Sequence, residues 1–145
     1  MSKLIDITNK NIDSLNNHYP IISDEIITLY CEYYNKKQLY ENDYIHFTII
    51  LNETKDKIGF ITLDCKRKNF SFVGNVGYSI KESFQGNNYG TQALRLLKKF
   101  IIENNFNNKN LYITVSSENI ASQKIAENNN GKLIYDGDIP KNYHN

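Results

Sequence analysis

The hydrophobic period of this chain changes once, near Tyr89, and that switch restricts its fold more than any other feature. Before it, apolar residues come in short runs rich in β-branched and aromatic side chains. Ile45–Leu51, Ile58–Cys65 and Phe70–Ile80 each read as a strand, with polar turns at Asn52–Lys57 and Lys66–Asn69. Three strands joined in this way make an antiparallel meander. From Tyr89 onward, Ala93, Leu97, Phe100 and Ile101 recur at helical spacing, with Leu94 beside them. Asn104–Asn110 ends that helix. Leu111–Val115 reads as a short strand, Asn119–Asn129 as a second helix stopped by Gly131, and Lys132–Tyr135 as a last strand. This order predicts an α+β fold: a mixed, mostly antiparallel twisted sheet of about six strands, flanked by helices on both faces. The long helix then makes a right-handed crossover between parallel strands.

The N-terminal third adds less. Leu4–Ile7 is a strand candidate, and Thr8–Asn17 has room for a helical turn or two. Ser23 reads as an N-cap with Asp24 and Glu25 in the first turn, Ile26, Ile27 and Tyr30 on one helical face, and Lys36 and Lys37 at the end. With 145 residues, 40% of them apolar, the chain suits one domain over 1–145. A net charge of +1 gives no pull toward nucleic acid or an acidic membrane. Lys66, Arg67 and Lys68 read as a solvated turn. Cys31 and Cys65 are not spaced as a metal pair and read as reduced structural thiols. Met1–Asp6 holds no signal-like run, and no apolar stretch is long enough to span a bilayer. The expectation is a cytoplasmic protein without metal. Frequent asparagine reads as compositional bias.

Chemistry concentrates where the period changes. Between the strand ending at Ile80 and the helix opening at Tyr89 lie Gln85, Gly86, Asn87, Asn88 and Gly90. Glycine takes positive φ freely, and asparagine tolerates it better than most residues. Such a turn can aim several backbone N–H groups into one concavity, beside the unpaired amides and positive end of the helix behind it. That is a phosphate or pyrophosphate site. On the turn alone, an ordinary strand-to-helix connection reads equally well. The second helix opening, Asn119-Ile-Ala-Ser122, shifts the balance toward a ligand.

Together these segments resemble the GNAT acetyltransferase superfamily. The family's acetyl-CoA motif, Q/R-x-x-G-x-G/A, is similar to Gln85-Gly-Asn-Asn88-Tyr-Gly90. Val76–Ile80 looks like its fourth strand, and Asn119-x-x-Ser122 resembles its N-x-x-S/A signature. The similarity covers the last two-thirds of the chain. It implies acetyl transfer from acetyl-CoA, as cosubstrate, to a primary amine of a small molecule or peptide. It implies that backbone N–H groups from Gln85 through Gly86, Asn87, Asn88, Tyr89 and Gly90, with Thr91 behind them, hold the pyrophosphate. Tyr78, Ser79 and Ile80 would pair with the pantetheine arm like another strand, one N–H polarising the thioester carbonyl. Asn119 would bond the pantetheine amides, with Ser122 lining the groove. Gly90→Val is then expected to block the cofactor and spare the fold.

The chain departs from the family pattern in three places. Asn88 replaces a glycine. Ala126 stands where many members carry a tyrosine acid. Phe70–Gly77 holds no Asp, Glu or His. Tyr78 is the remaining candidate for proton transfer, and packing is an equal reading of it. His46 and Asp64 read first as a local strand-end contact and a turn residue, and only second as acceptor-side groups. Tyr30, Tyr33 and Tyr34 read as wall residues, and Asp24, Glu25, Glu32 and Glu41 as a solvated face with some attraction for a cation. A catalytically silent acyl-CoA sensor remains an alternative. A nucleotide site is less favoured, because no Lys-Ser/Thr pair follows the glycines to organise Mg²⁺. A homodimer is compatible with the resemblance, and no interface can be read from the sequence.

Overall fold

A computed structural model describes residues 20–33, 44–64, 74–104 and 110–138. Among these residues the sheet has five strands in chain order: β1 (Ile21–Ser23), β2 (Ile27–Tyr33), β3 (Tyr44–Leu51), β4 (Lys57–Asp64) and β5 (Val76–Ile80), every neighbouring pair antiparallel. A 3-10 turn at Glu82–Phe84 leads to α1 (Tyr89–Glu103), and α2 (Ile120–Asn128) follows. The α+β class and the meander are as the sequence predicts.

Alternation along the strands builds the core. Ile27, Leu29 and Cys31 of β2, Ile45, Phe47 and Ile49 of β3, and Ile61 and Leu63 of β4 are buried at every second position. They meet Ala93, Leu94, Leu97, Phe100 and Ile101 of α1, and Phe47 sits edge-on to Phe100 with centroids 5.8 Å apart. Both described helices lie on this face, since α2 packs on α1 and is bonded by Tyr78, which shares the side of Val76 and Ile80. Helices on both faces are therefore not seen among the described residues. The Leu4–Ile7 and Thr8–Asn17 expectations lie outside those residues, as do Tyr34, Lys36, Lys37, Glu41 and Cys65.

Residues 23–33 correct the sequence reading, because they form a hairpin and not a capped helix. The Asp24 carboxylate accepts the N–H groups of Ile26 (2.8 Å) and Ile27 (2.9 Å), which turns the chain back on itself. Asn52 secures this turn from the next one, donating to the Asp24 carbonyl (2.9 Å) while accepting from the Thr28 hydroxyl (2.6 Å). The β-branched run Ile26-Ile27-Thr28 then extends into β2.

The last two expected strands differ as well. Among the described residues, 111–115 and 132–135 form no regular strand. The first meets the start of β5 through Tyr112, whose carbonyl accepts from Asn75 N–H (2.9 Å) and Val76 N–H (3.2 Å). Leu133, Ile134 and Tyr135 are exposed rather than packed. No mixed pairing is therefore seen in the described sheet, which is purely antiparallel. No described helix is long and apolar enough to cross a membrane.

Candidate active site at the open edge of β5

β5 ends the described sheet, so one of its edges faces no strand among the described residues. Lys81 N–H donates to the Ile58 carbonyl and Asp64 N–H to the Asn75 carbonyl, both at 2.8 Å. In an antiparallel ladder, alternate residues bond to the same neighbour. Residues 77 and 79 therefore bond toward β4, and 76, 78 and 80 point outward. Val76 N–H already serves Tyr112, and the Ile80 carbonyl accepts from Gln85 Nε2 at 2.8 Å. The outward groups that remain are the C=O of Val76, the N–H and C=O of Tyr78 and the N–H of Ile80.

The turn beyond this edge has the conformation its residue types predict. Gly86 has φ +87° and Asn88 φ +65°, so asparagine takes the left-handed state of the motif glycine it replaces. Gln85 anchors the loop to the strand end. Asn87 Nδ2 donates back to the Phe84 carbonyl at 3.2 Å. The Asn88 side chain does not cap α1, and the first helical bond runs from Gln92 N–H to the Asn88 carbonyl (3.1 Å). No backbone N–H from Gly86 to Thr91 meets an acceptor among the described residues. These amides surround the positive end of a 15-residue helix. Such a cradle fits a diphosphate.

α2 supplies the other wall. Asn119 caps it, with Oδ1 accepting from Ser122 N–H at 3.0 Å. Asn119 Nδ2 has no partner among the described residues and stays able to donate. The Tyr78 hydroxyl donates to the Ser122 carbonyl at 2.8 Å, tying β5 to the first turn of α2. Burial pushes the Tyr78 hydroxyl up to about 12, by disfavouring the phenolate.

Two expected ligand contacts have a different basis. A Cβ on Gly90 would collide with Ile125 Cδ1 and sit 3.6 Å from Ile80 Cγ1. Gly90 thus lets α1 and α2 approach each other, and Gly90→Val strikes this packing first. That adds a packing cost at Ile125 to the expected loss of cofactor binding. Thr91 is buried, with Oγ1 accepting from Asn128 Nδ2 (3.3 Å) and its carbonyl from Asn129 Nδ2 (3.1 Å). Its amide belongs to the unpartnered run at the start of α1.

Sequence reasoning missed the asparagines that hold this arrangement. Asn129 is 8% exposed, bonds the Thr91 and Ile125 carbonyls, and accepts Lys98 Nζ at 2.9 Å on its own carbonyl. Asn130 takes φ +65° at the end of α2, and Gly131 N–H closes onto the Ala126 carbonyl at 2.8 Å. A Cβ on Gly131 would lie 2.8 Å from that oxygen, so this glycine serves close approach and not positive φ.

The secondary candidates lie elsewhere. His46 stacks on Phe60, centroids 5.3 Å apart, on the sheet face away from α1. Glu32 accepts from the Thr48 hydroxyl (2.9 Å) and approaches Lys57 Nζ (3.8 Å). Cys31 is buried in the core. Tyr30 is exposed.

An open strand edge beside a helix start with unpartnered amides defines a fold that can hold a phosphate-bearing, amide-rich ligand. The sequence model of the Acetyltransferase (GNAT) domain matches residues 16–132. The chain belongs to the GNAT acetyltransferase family, and it is an N-acetyltransferase with acetyl-CoA as cosubstrate. No curated protein and no solved structure gives a significant match.

Proposed function

We propose that this protein acetylates a primary amine of a small molecule or peptide by direct attack on acetyl-CoA in a ternary complex. The run of unpartnered amides from Gly86 to Thr91, beside the open edge of β5, carries the reading. Those amides hold the pyrophosphate. Ile80 N–H and the Tyr78 carbonyl pair with pantetheine as a further strand would. Tyr78 N–H, farther from the loop, polarises the thioester carbonyl and supports the charge that develops on its oxygen. Asn119 Nδ2 and the Ser122 hydroxyl contact the same arm from α2.

Acetyl-CoA contributes an activated acyl group with a thiolate leaving group. Tyr78 is a poor acid for that thiolate. A phenol at about 12, facing a thiol of about 8.5, would give up its proton against roughly 5 kcal/mol. Its hydroxyl already serves Ser122. Tyr78 is therefore a strut through its side chain and a ligand through its backbone, while water carries the protons. Attack needs the neutral amine, so kcat/KM should rise with pH until the acceptor is deprotonated.

Thiol release from acetyl-CoA, measured against polyamines, amino sugars, amino acids and a peptide N-terminus, tests the proposal. Amine-dependent release with intersecting double-reciprocal lines is expected. Parallel lines, or tight coenzyme A binding with no turnover on any amine, would count against it.

A further inference from the structure

We propose that Asn75 is the pivot that holds the cofactor groove open, its side chain standing in for a strand residue opposite segment 110–112. The inference rests on the reading of the β5 edge as the coenzyme A groove.

Asn75 directly precedes β5 and is 5% exposed. Its Oδ1 accepts Tyr112 N–H at 2.8 Å, and its Nδ2 donates to the Asn110 carbonyl at 2.9 Å. In a parallel ladder one residue bonds the carbonyl before, and the N–H after, the residue it faces. The carboxamide of Asn75 makes that pair of bonds around Leu111, with a group shaped like a peptide. The backbone completes the grip, since the Tyr112 carbonyl receives both Asn75 and Val76 N–H. Gly74, at φ +78°, makes room: a Cβ there would lie 2.8 Å from the Tyr112 carbonyl oxygen.

Asn75 thus engages Tyr112 through both its N–H and its carbonyl, with Val76 N–H on the same carbonyl. From Gly77 to Ile80 no hydrogen bond joins β5 to this segment among the described residues. A continuing backbone ladder would instead consume the outward groups of Tyr78 and Ile80. Ending the ladder with a side-chain amide satisfies the buried peptide groups and leaves the edge beyond them available. Asn75 is a positioning residue, acting on the cofactor through the geometry of Tyr112.

Asn75→Asp and Asn75→Ala, with coenzyme A affinity read by calorimetry, test this. An ionised Asp sets an oxygen against the Asn110 carbonyl, whereas a protonated Asp donates to it and restores the grip. Burial raises that carboxyl's pKa. Its titratable neighbours among the described residues are Asp64, at the end of β4, and Tyr112. Near pH 8, Asn75→Asp should bind coenzyme A roughly tenfold more weakly than wild type, and acidification to about pH 5.5 should narrow the gap below about threefold. Asn75→Ala should stay weak at both. Ile49→Val, a core change far from the edge with its own loss of Tm, should leave affinity unchanged. Folded Asn75 variants that bind within about twofold of wild type at both pH values would overturn the proposal. Should the variants fail to fold, hydrogen exchange on wild type decides: Tyr112 N–H is protected without ligand, and fast exchange there refutes the pivot. A wild type that does not bind coenzyme A would instead remove the functional reading, and the Tyr112 result would still stand.

Discussion

At the start of α2, Asn119 folds its side chain onto the helix and accepts Ser122 N–H; at the start of α1, Asn88 does neither. The two helices open with the same residue type and opposite backbone states. Asn119 has φ −90° and ψ 81°, from which the carboxamide reaches the third residue on. Asn88 has φ +65° and ψ 17°, which turns its side chain away from the helix amides. A capped start contributes about 1 kcal/mol of stability. α1 forgoes that contribution and keeps a cluster of amides ready for an anion. On the proposed function, the missing cap keeps those amides for the ligand, although the residue able to supply it is present.

Adding a charge at the start of α1 should have the largest effect. Asn88→Asp puts a negative charge at the cradle, and repulsion with a diphosphate should weaken coenzyme A binding roughly a hundredfold, with little loss of Tm. Titration calorimetry beside a melting curve checks both halves. Next comes Gly90→Val, which breaks the contact between the two helix starts. It should cost about 2 kcal/mol of stability from overpacking against Ile125, seen as a lower urea midpoint. Asn119→Ser then separates the two uses of Asn119. Serine keeps the cap but lacks Nδ2, so stability should hold while the KM for acetyl-CoA rises about fivefold. An unchanged KM would leave Asn119 as a cap alone.

The smallest effects concern the link between the regions. Tyr78→Phe removes the hydroxyl that bonds Ser122, and kcat should fall less than about threefold, whereas loss of a general acid costs about a hundredfold or more. The hydroxyl's pKa rises from 10.0 unfolded to about 12 folded. Its contribution to stability is therefore fully present below pH 10 and is lost as pH climbs toward 12. Wild type should lose stability over that window more steeply than Tyr78→Phe in urea melts.

The same contrast explains what the sequence disclosed. The loop from Gln85 to Gly90 was legible because its requirement is local: positive φ is written in glycine and asparagine. The core helix was legible from Ala93, Leu97 and Phe100. Residues 23–33 were misread because Ser-Asp-Glu can cap a helix or close a turn, and the choice falls to Asn52 and Thr28, which are distant from Asp24 in the chain or in reach only after folding. The asparagines misread as compositional bias make the same point. Asn75 acts 35 and 37 residues away, on Asn110 and Tyr112, and Asn129 acts 38 residues back, on Thr91. No local pattern records a carboxamide whose partners come from another element.

Amide hydrogen exchange with and without coenzyme A tests the central claim most directly. The account predicts that the amides from Gly86 to Thr91, together with Tyr78 and Ile80, exchange fast in the free protein and slow markedly when coenzyme A binds, while Ser122 N–H is protected in both states. Coenzyme A bound tightly with the Gly86–Thr91 amides still exchanging freely would contradict it.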